Sequence, residues 1–224
     1  MKKLALLACA IALTSCAMMP PRAPPIVDGR GDTIALVWIQ DDPRLPADAV
    51  LDGCAYWNPM KIRCERTLDA SAAHVRYFVS EEKCEDKDHH KLAWAEQSGN
   101  VRMVVDCLKG FLGLHPDYEY IRSVAAHEFG HELGIWQHVP STCDPVAFQK
   151  EHDDFDKRLV MKTHPSGKPI CGIAVMNPTE HHLKYLTEFD RLAFDIRDPD
   201  VRAVSMPGQP PPDWEGCILY PSAK

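Results

Sequence analysis

The chain has 224 residues, 45% of them hydrophobic and 25% charged, which suits one globular domain with a full core and leaves two separate domains cramped. Its formal net charge is −7. A chain of that sign lacks the basic footprint of a nucleic-acid binder, so nucleic acid is discounted as a partner.

Lys2 and Lys3 precede an apolar run from Leu4 to Leu13 that is short for a bilayer span, and residues 1–15 read as a leader, outside the fold. The run ends in Leu13-Thr14-Ser15-Cys16, which resembles the lipobox of bacterial lipoproteins, where the leader is cut before a cysteine that then receives acyl chains. That resemblance implies a lipid anchor at Cys16 and a place in the bacterial cell envelope, on the outer membrane facing periplasm or exterior; a plain secretory leader cut nearby is the alternative. Residues 16–31, with Pro20, Pro21, Pro24 and Pro25, form a tether to a domain spanning 32–205. Export permits disulfides. Setting aside Cys9 and Cys16, nearest-neighbour pairing suggests Cys54 with Cys64, Cys84 with Cys107 and Cys143 with Cys171, leaving Cys217 odd, although spacing does not fix connectivity.

Within the domain, residues 33–40 (TIALVWIQ) are a β-branched apolar run and read as a buried strand. Residues 48–57 suit a helix stopped by Asn58-Pro59, and 73–80 and 101–108 are again strand-like. A long helix is expected from an N-cap at Asp117 to Leu133, with Gly134 as its stop. Residues 139–170 contain four prolines and read as an irregular surface excursion. Thr187 and Asp190 occupy capping-box positions of a last helix that carries Phe189, Leu192, Ala193 and Ile196 at helical spacing. Residues 206–224 are a proline-rich tail. The element pattern is mixed α/β.

The chemistry is concentrated in His127-Glu128-Phe129-Gly130-His131, followed by Gly134 and His138. Helical residues four apart differ by about 40° in rotation and about 6 Å in rise, so His127 and His131 can reach one metal ion. Glu128 lies about 100° round from His127, where it can take a proton from a metal-bound water. Ile121, Ala125, Phe129 and Leu133 form an apolar stripe on another side of the helix, which the two histidines avoid.

These residues, with Gly172-Ile173-Ala174-Val175-Met176-Asn177-Pro178 downstream, resemble the metzincin zinc peptidases, nearest the matrixin and astacin groups. The resemblance implies an α+β fold with a twisted, mostly parallel small sheet, an active-site helix, a methionine turn with Met176 beneath the metal, and a closing C-terminal helix. It implies one catalytic Zn²⁺ and hydrolysis of polypeptide substrates by metal-activated water, with Glu128 as general base. It also suggests that residues 92–97 (LAWAEQ) form the edge strand on which a peptide lies, and that Tyr185 approaches the site. The chain is expected to act as a monomer.

One departure from the family pattern bears on the third ligand. The pattern places a histidine at 137, where this chain has Gln137, with His138 one residue later. A carboxamide oxygen competes poorly with imidazole for zinc, so a turn at Gly134 is expected to deliver His138. The rival is a thermolysin-like site completed by Glu151; a further alternative is a binding lipoprotein that keeps the fold without turnover. His89, His90, His152, His164, His181 and His182 lie in polar stretches and read as surface residues.

Overall fold

The computed structural model describes residues 26–84, 92–96, 98–108, 117–154, 159–178 and 183–197. Cys16, His89, His90, His181, His182, Cys217, the leader, most of the tether and the tail lie outside them.

The sheet is built around β2 (Thr33–Ile39), which pairs antiparallel with β1 (Ile26–Val27) and parallel with β3 (Ile62–Arg66) and β4 (Val75–Val79). β4 runs parallel to β6 (Asn100–Met103), and β5 (Ala93–Glu96) closes that end as an antiparallel edge strand. The side chains alternate with the period of two that a strand imposes. Ala35, Val37, Val75, Tyr77, Val101 and Met103 are wholly buried on one face. On the other face Trp38 stacks 5.3 Å from Phe78, which Arg102 covers at 5.4 Å.

Against the buried face pack α1 (Ala47–Cys54) and α2 (Tyr118–Glu132). Between α1 and β3 the chain makes a 3₁₀ turn, Ala55–Met60, which contains Pro59. The break expected at Asn58-Pro59 therefore comes earlier, after Cys54. The tighter turn ends where Lys61 turns left-handed at φ 58°. This turn carries the indole of Trp57, whose Nε1 donates to Ala126 O at 3.0 Å, while Tyr77 Oη donates to Ala125 O at 3.0 Å. α2 is thus docked on both sides by aromatic donors that reach its backbone.

The excursion after α2 is more ordered than the sequence suggests. Residues Pro145–Asp154 form α3, with Pro145 opening the helix, where its missing N–H costs nothing. Asp144 caps it, accepting from Val146 N at 3.0 Å and Ala147 N at 2.8 Å. A two-stranded ribbon of β7 (Lys162–Thr163) and β8 (Pro169–Ile170) follows, and then α4 (Glu188–Asp195), opened by the Thr187–Asp190 capping box. Among the described residues, disulfides join Cys54 to Cys64, Cys84 to Cys107 and Cys143 to Cys171.

Candidate metal centre

α2 begins where Asp117 accepts from Tyr120 N at 3.2 Å, and it carries the expected apolar stripe, Ile121, Ala125, Phe129 and Leu133, into the core at 1% exposure or less. His127 and His131 sit one turn apart, away from that stripe, with ring centroids at 4.9 Å. The helix ends in a Schellman motif. Gly134 N donates to His131 O at 2.9 Å and Ile135 N to Gly130 O at 3.1 Å, with Gly134 at φ 97°. A side chain at that φ would be strained, so glycine is what lets the chain reverse so sharply.

The reversal brings back His138, not Gln137. The His138 ring centroid stands 5.0 Å from that of His127 and 5.0 Å from that of His131. Each of the three histidines offers a ring nitrogen within 4.8 Å of the others, and the cluster can hold a metal ion. The Nε2 atoms of His127 and His138 lie 3.1 Å apart, close to the edge of about 3.3 Å expected between two imidazole donors of a tetrahedral zinc site. Glu151 is not in this cluster. Its carboxylate accepts from Ser141 N at 3.0 Å and from Ser141 Oγ at 3.0 Å, tying α3 to the chain that follows His138.

The rings are held from behind. His127 Nδ1 meets Val175 O at 2.8 Å and His131 Nδ1 meets Ile135 O at 2.7 Å. A carbonyl oxygen only accepts, so both Nδ1 atoms carry a proton, and in the neutral rings Nε2 is then the nitrogen with the lone pair. This is the arrangement by which outer partners fix the tautomer of metal-binding histidines. Trp136 packs against His131 with centroids 5.9 Å apart.

Beneath the helix lies the turn at 172–177. Met176 is fully buried, and its thioether occupies the space where a side chain at Gly130 would begin. The turn is pinned by Asp190, which is itself wholly buried and accepts from Val175 N and Met176 N at 3.0 Å each. Burial raises the Asp190 carboxyl above its ordinary value, against the pull of backbone donors from Thr187, Val175 and Met176.

Glu128 is buried at 6% exposure, and Glu132, one turn on, at 2%. Burial first, then the charges of Glu132 and Glu128, pushes the Tyr77 phenol well above its usual value, so that it stays a donor to Ala125 O. Tyr185 stands 68% exposed on the approach to α4. His152 and His164 lie apart from the cluster, the first beside Asp153 and the second bonded to Ser166 Oγ at 2.7 Å. Sequence reasoning singled out the three clustered histidines and Met176. It missed the supporting carbonyls of Val175 and Ile135 and the reach of Asp190 beyond its cap, for which the only signal was a capping-box aspartate fourteen residues after Met176.

The fold is a mixed α/β domain with a three-histidine cluster at the end of its central helix. No protein-family model matches the chain, and no curated protein matches it significantly. Among solved structures it is similar to one described as "Structure of myroilysin", at 11% identity and a TM-score of 0.38, over 72% of this chain and 90% of that one. Likeness at that level leaves the functional reading to the geometry of the site.

Proposed function

We propose that the protein is a zinc-dependent endopeptidase of metzincin type, in which His127, His131 and His138 hold one Zn²⁺ and Glu128 is the general base. The observation that carries this reading is the convergence of three imidazoles, two of them with Nδ1 bonded to a backbone carbonyl and Nε2 left as donor to the ion. The donor set fits zinc: three neutral nitrogens at one end of a helix, with a fourth position left for solvent or substrate. When bound, the ion would supply Lewis acidity, lowering the pKa of a water and polarising a carbonyl.

The chain's own residues do the rest. Glu128 follows His127 on the same helix, about 100° round from it, from where its carboxylate can shuttle the proton from water to the leaving amine. Its burial keeps competing solvent away. β5 offers an antiparallel edge, and an extended polypeptide can add to it as a further strand. The mostly parallel strand order, with β1 and β5 reversed at its ends, supports what the resemblance implies, as does Met176 under the helix. The proposal extends to a lipid anchor at Cys16, a place in the cell envelope and action as a monomer on polypeptide substrates, each resting on the sequence.

The test is metal content and proteolysis of an unstructured protein, measured on wild type and on Glu128→Gln. The variant is expected to keep one zinc per chain and to lose cleavage by on the order of 10²- to 10⁴-fold. Undiminished cleavage, or a wild type that takes up no zinc, would overturn the proposal.

A further inference from the structure

The one-residue shift of the third histidine raises the question of what holds the chain so that residue 138 meets the other two. The segment after Gly134 has left the helix and forms no regular element of its own until α3, whose Glu151 holds it only at Ser141, three residues past His138. Its support comes from the turn at 172–177. Val139 N donates to Met176 O at 2.7 Å, and Gly172 N donates to Pro140 O at 2.8 Å. The carboxamide of Asn177 completes the set, with Nδ2 donating to Val139 O at 2.8 Å and to Gly172 O at 3.0 Å, and Oδ1 accepting from Ala174 N at 2.8 Å.

Asn177 is 2% exposed, and its partners admit one orientation. Turned over, the amide would set its oxygen against two carbonyls and its N–H groups against another N–H. Both backbone groups of Val139, the residue after His138, are therefore held by the turn, one of them through the Asn177 side chain. A buried amide with three bonds to three backbone groups is rigid, because loosening any one leaves a polar group unsatisfied away from water.

We propose that Asn177 is a positioning residue for the third metal ligand: its carboxamide locks Val139 against the methionine turn and so delivers His138 to the ion. This rests on the zinc-site reading. Asn177 touches neither ion nor substrate, and its influence runs through the backbone of Val139 to one ligand of the three. His131 is held by α2 and Ile135 O, and His127 by α2 and Val175 O, whose stretch of the turn Asp190 pins separately through Val175 N and Met176 N.

The experiment is a double-mutant cycle on zinc affinity, measured by chelator competition, over wild type, Asn177→Leu, His138→Ala and the double variant, with cobalt(II) absorption as a second readout of coordination. Leucine fills similar space and leaves Val139 O and Gly172 O without their donor. Asn177→Leu is expected to weaken zinc binding by on the order of ten- to a hundredfold where His138 is present. With His138→Ala already in place it should change affinity by less than about twofold, since the ligand through which it acts is gone. The cobalt spectrum of Asn177→Leu should move toward that of His138→Ala. Equal weakening in both backgrounds, or none in either, would overturn the proposal while leaving the metal site standing. A wild type that binds neither metal would overturn the zinc-site reading and this inference with it. Should Asn177→Leu fail to fold by circular dichroism, Asn177→Ser, which is too short to reach Val139 O, enters the same cycle with the same expected outcomes.

Discussion

His127 and His131 differ from ordinary buried histidines in what their Nδ1 atoms do. Each donates to a main-chain carbonyl, which in the neutral ring makes Nε2 the nitrogen able to join a cluster that could hold an ion. The residue between them that most constrains the sequence is Gly130. A Cβ there would strike the Met176 thioether and come within 2.7 Å of Trp57 Cζ2. Gly130→Ala, which intrinsic helix propensity alone would favour, is expected to destabilise the fold by about 1–3 kcal/mol through overpacking. In a domain of this size that lowers the melting temperature by about 2–4 °C for each kcal/mol. Calorimetry in the presence of chelator checks it, and a variant that melts at or above wild type would show that the turn can back away from the helix.

Among the elements, α3 and the segment before it depend on Glu151, a buried carboxylate bonded to the backbone and hydroxyl of Ser141. Glu151→Ala leaves that N–H without its acceptor and is expected to cost about 1–3 kcal/mol by chemical denaturation. Zinc affinity should stay within a few-fold of wild type; complete loss of zinc would put Glu151 back among the ligands. The same region marks where the sequence misleads. Its prolines read as helix breakers, yet Pro145 opens α3, a position set by Asp144 before it. β3 (IRCER) has too few apolar residues to announce a strand, because it is an edge with one buried neighbour. By contrast, β2, β4 and the α2 stripe were legible, since each buries a face whose period is written in its own residues. The HExxH pair was legible for the same local reason. His138 was legible only as a candidate, because its delivery depends on Val139 meeting Met176 and Asn177, thirty-seven and thirty-eight residues away.

At the scale of the whole molecule, Asp190 joins the last helix to the centre. It caps α4, pins the turn at 172–177, and through Val175 stands behind His127. Its burial outweighs its donors, so the folded state binds the Asp190 proton more tightly than the unfolded chain, whose ordinary carboxyl value is 3.8. The linkage then has a definite sign. Below 3.8 both states are protonated and the favourable contribution is complete. As pH rises from there through the raised folded value, the unfolded state gives up its proton first, and the contribution is lost. Asp190→Asn cannot titrate, so the stability of wild type relative to this variant is expected to fall as pH is raised from below 3.8 and to level off once the folded carboxyl has ionised. Urea unfolding of both proteins across that range, with chelator present, measures the difference while cancelling the titration of every group they share. A difference that grew with pH would mean that the hydrogen bonds from Val175 N, Met176 N, Thr187 N and Thr187 Oγ1 stabilise the carboxylate by more than burial costs it, and that the join between α4 and the histidine cluster is held by a charge favoured in place.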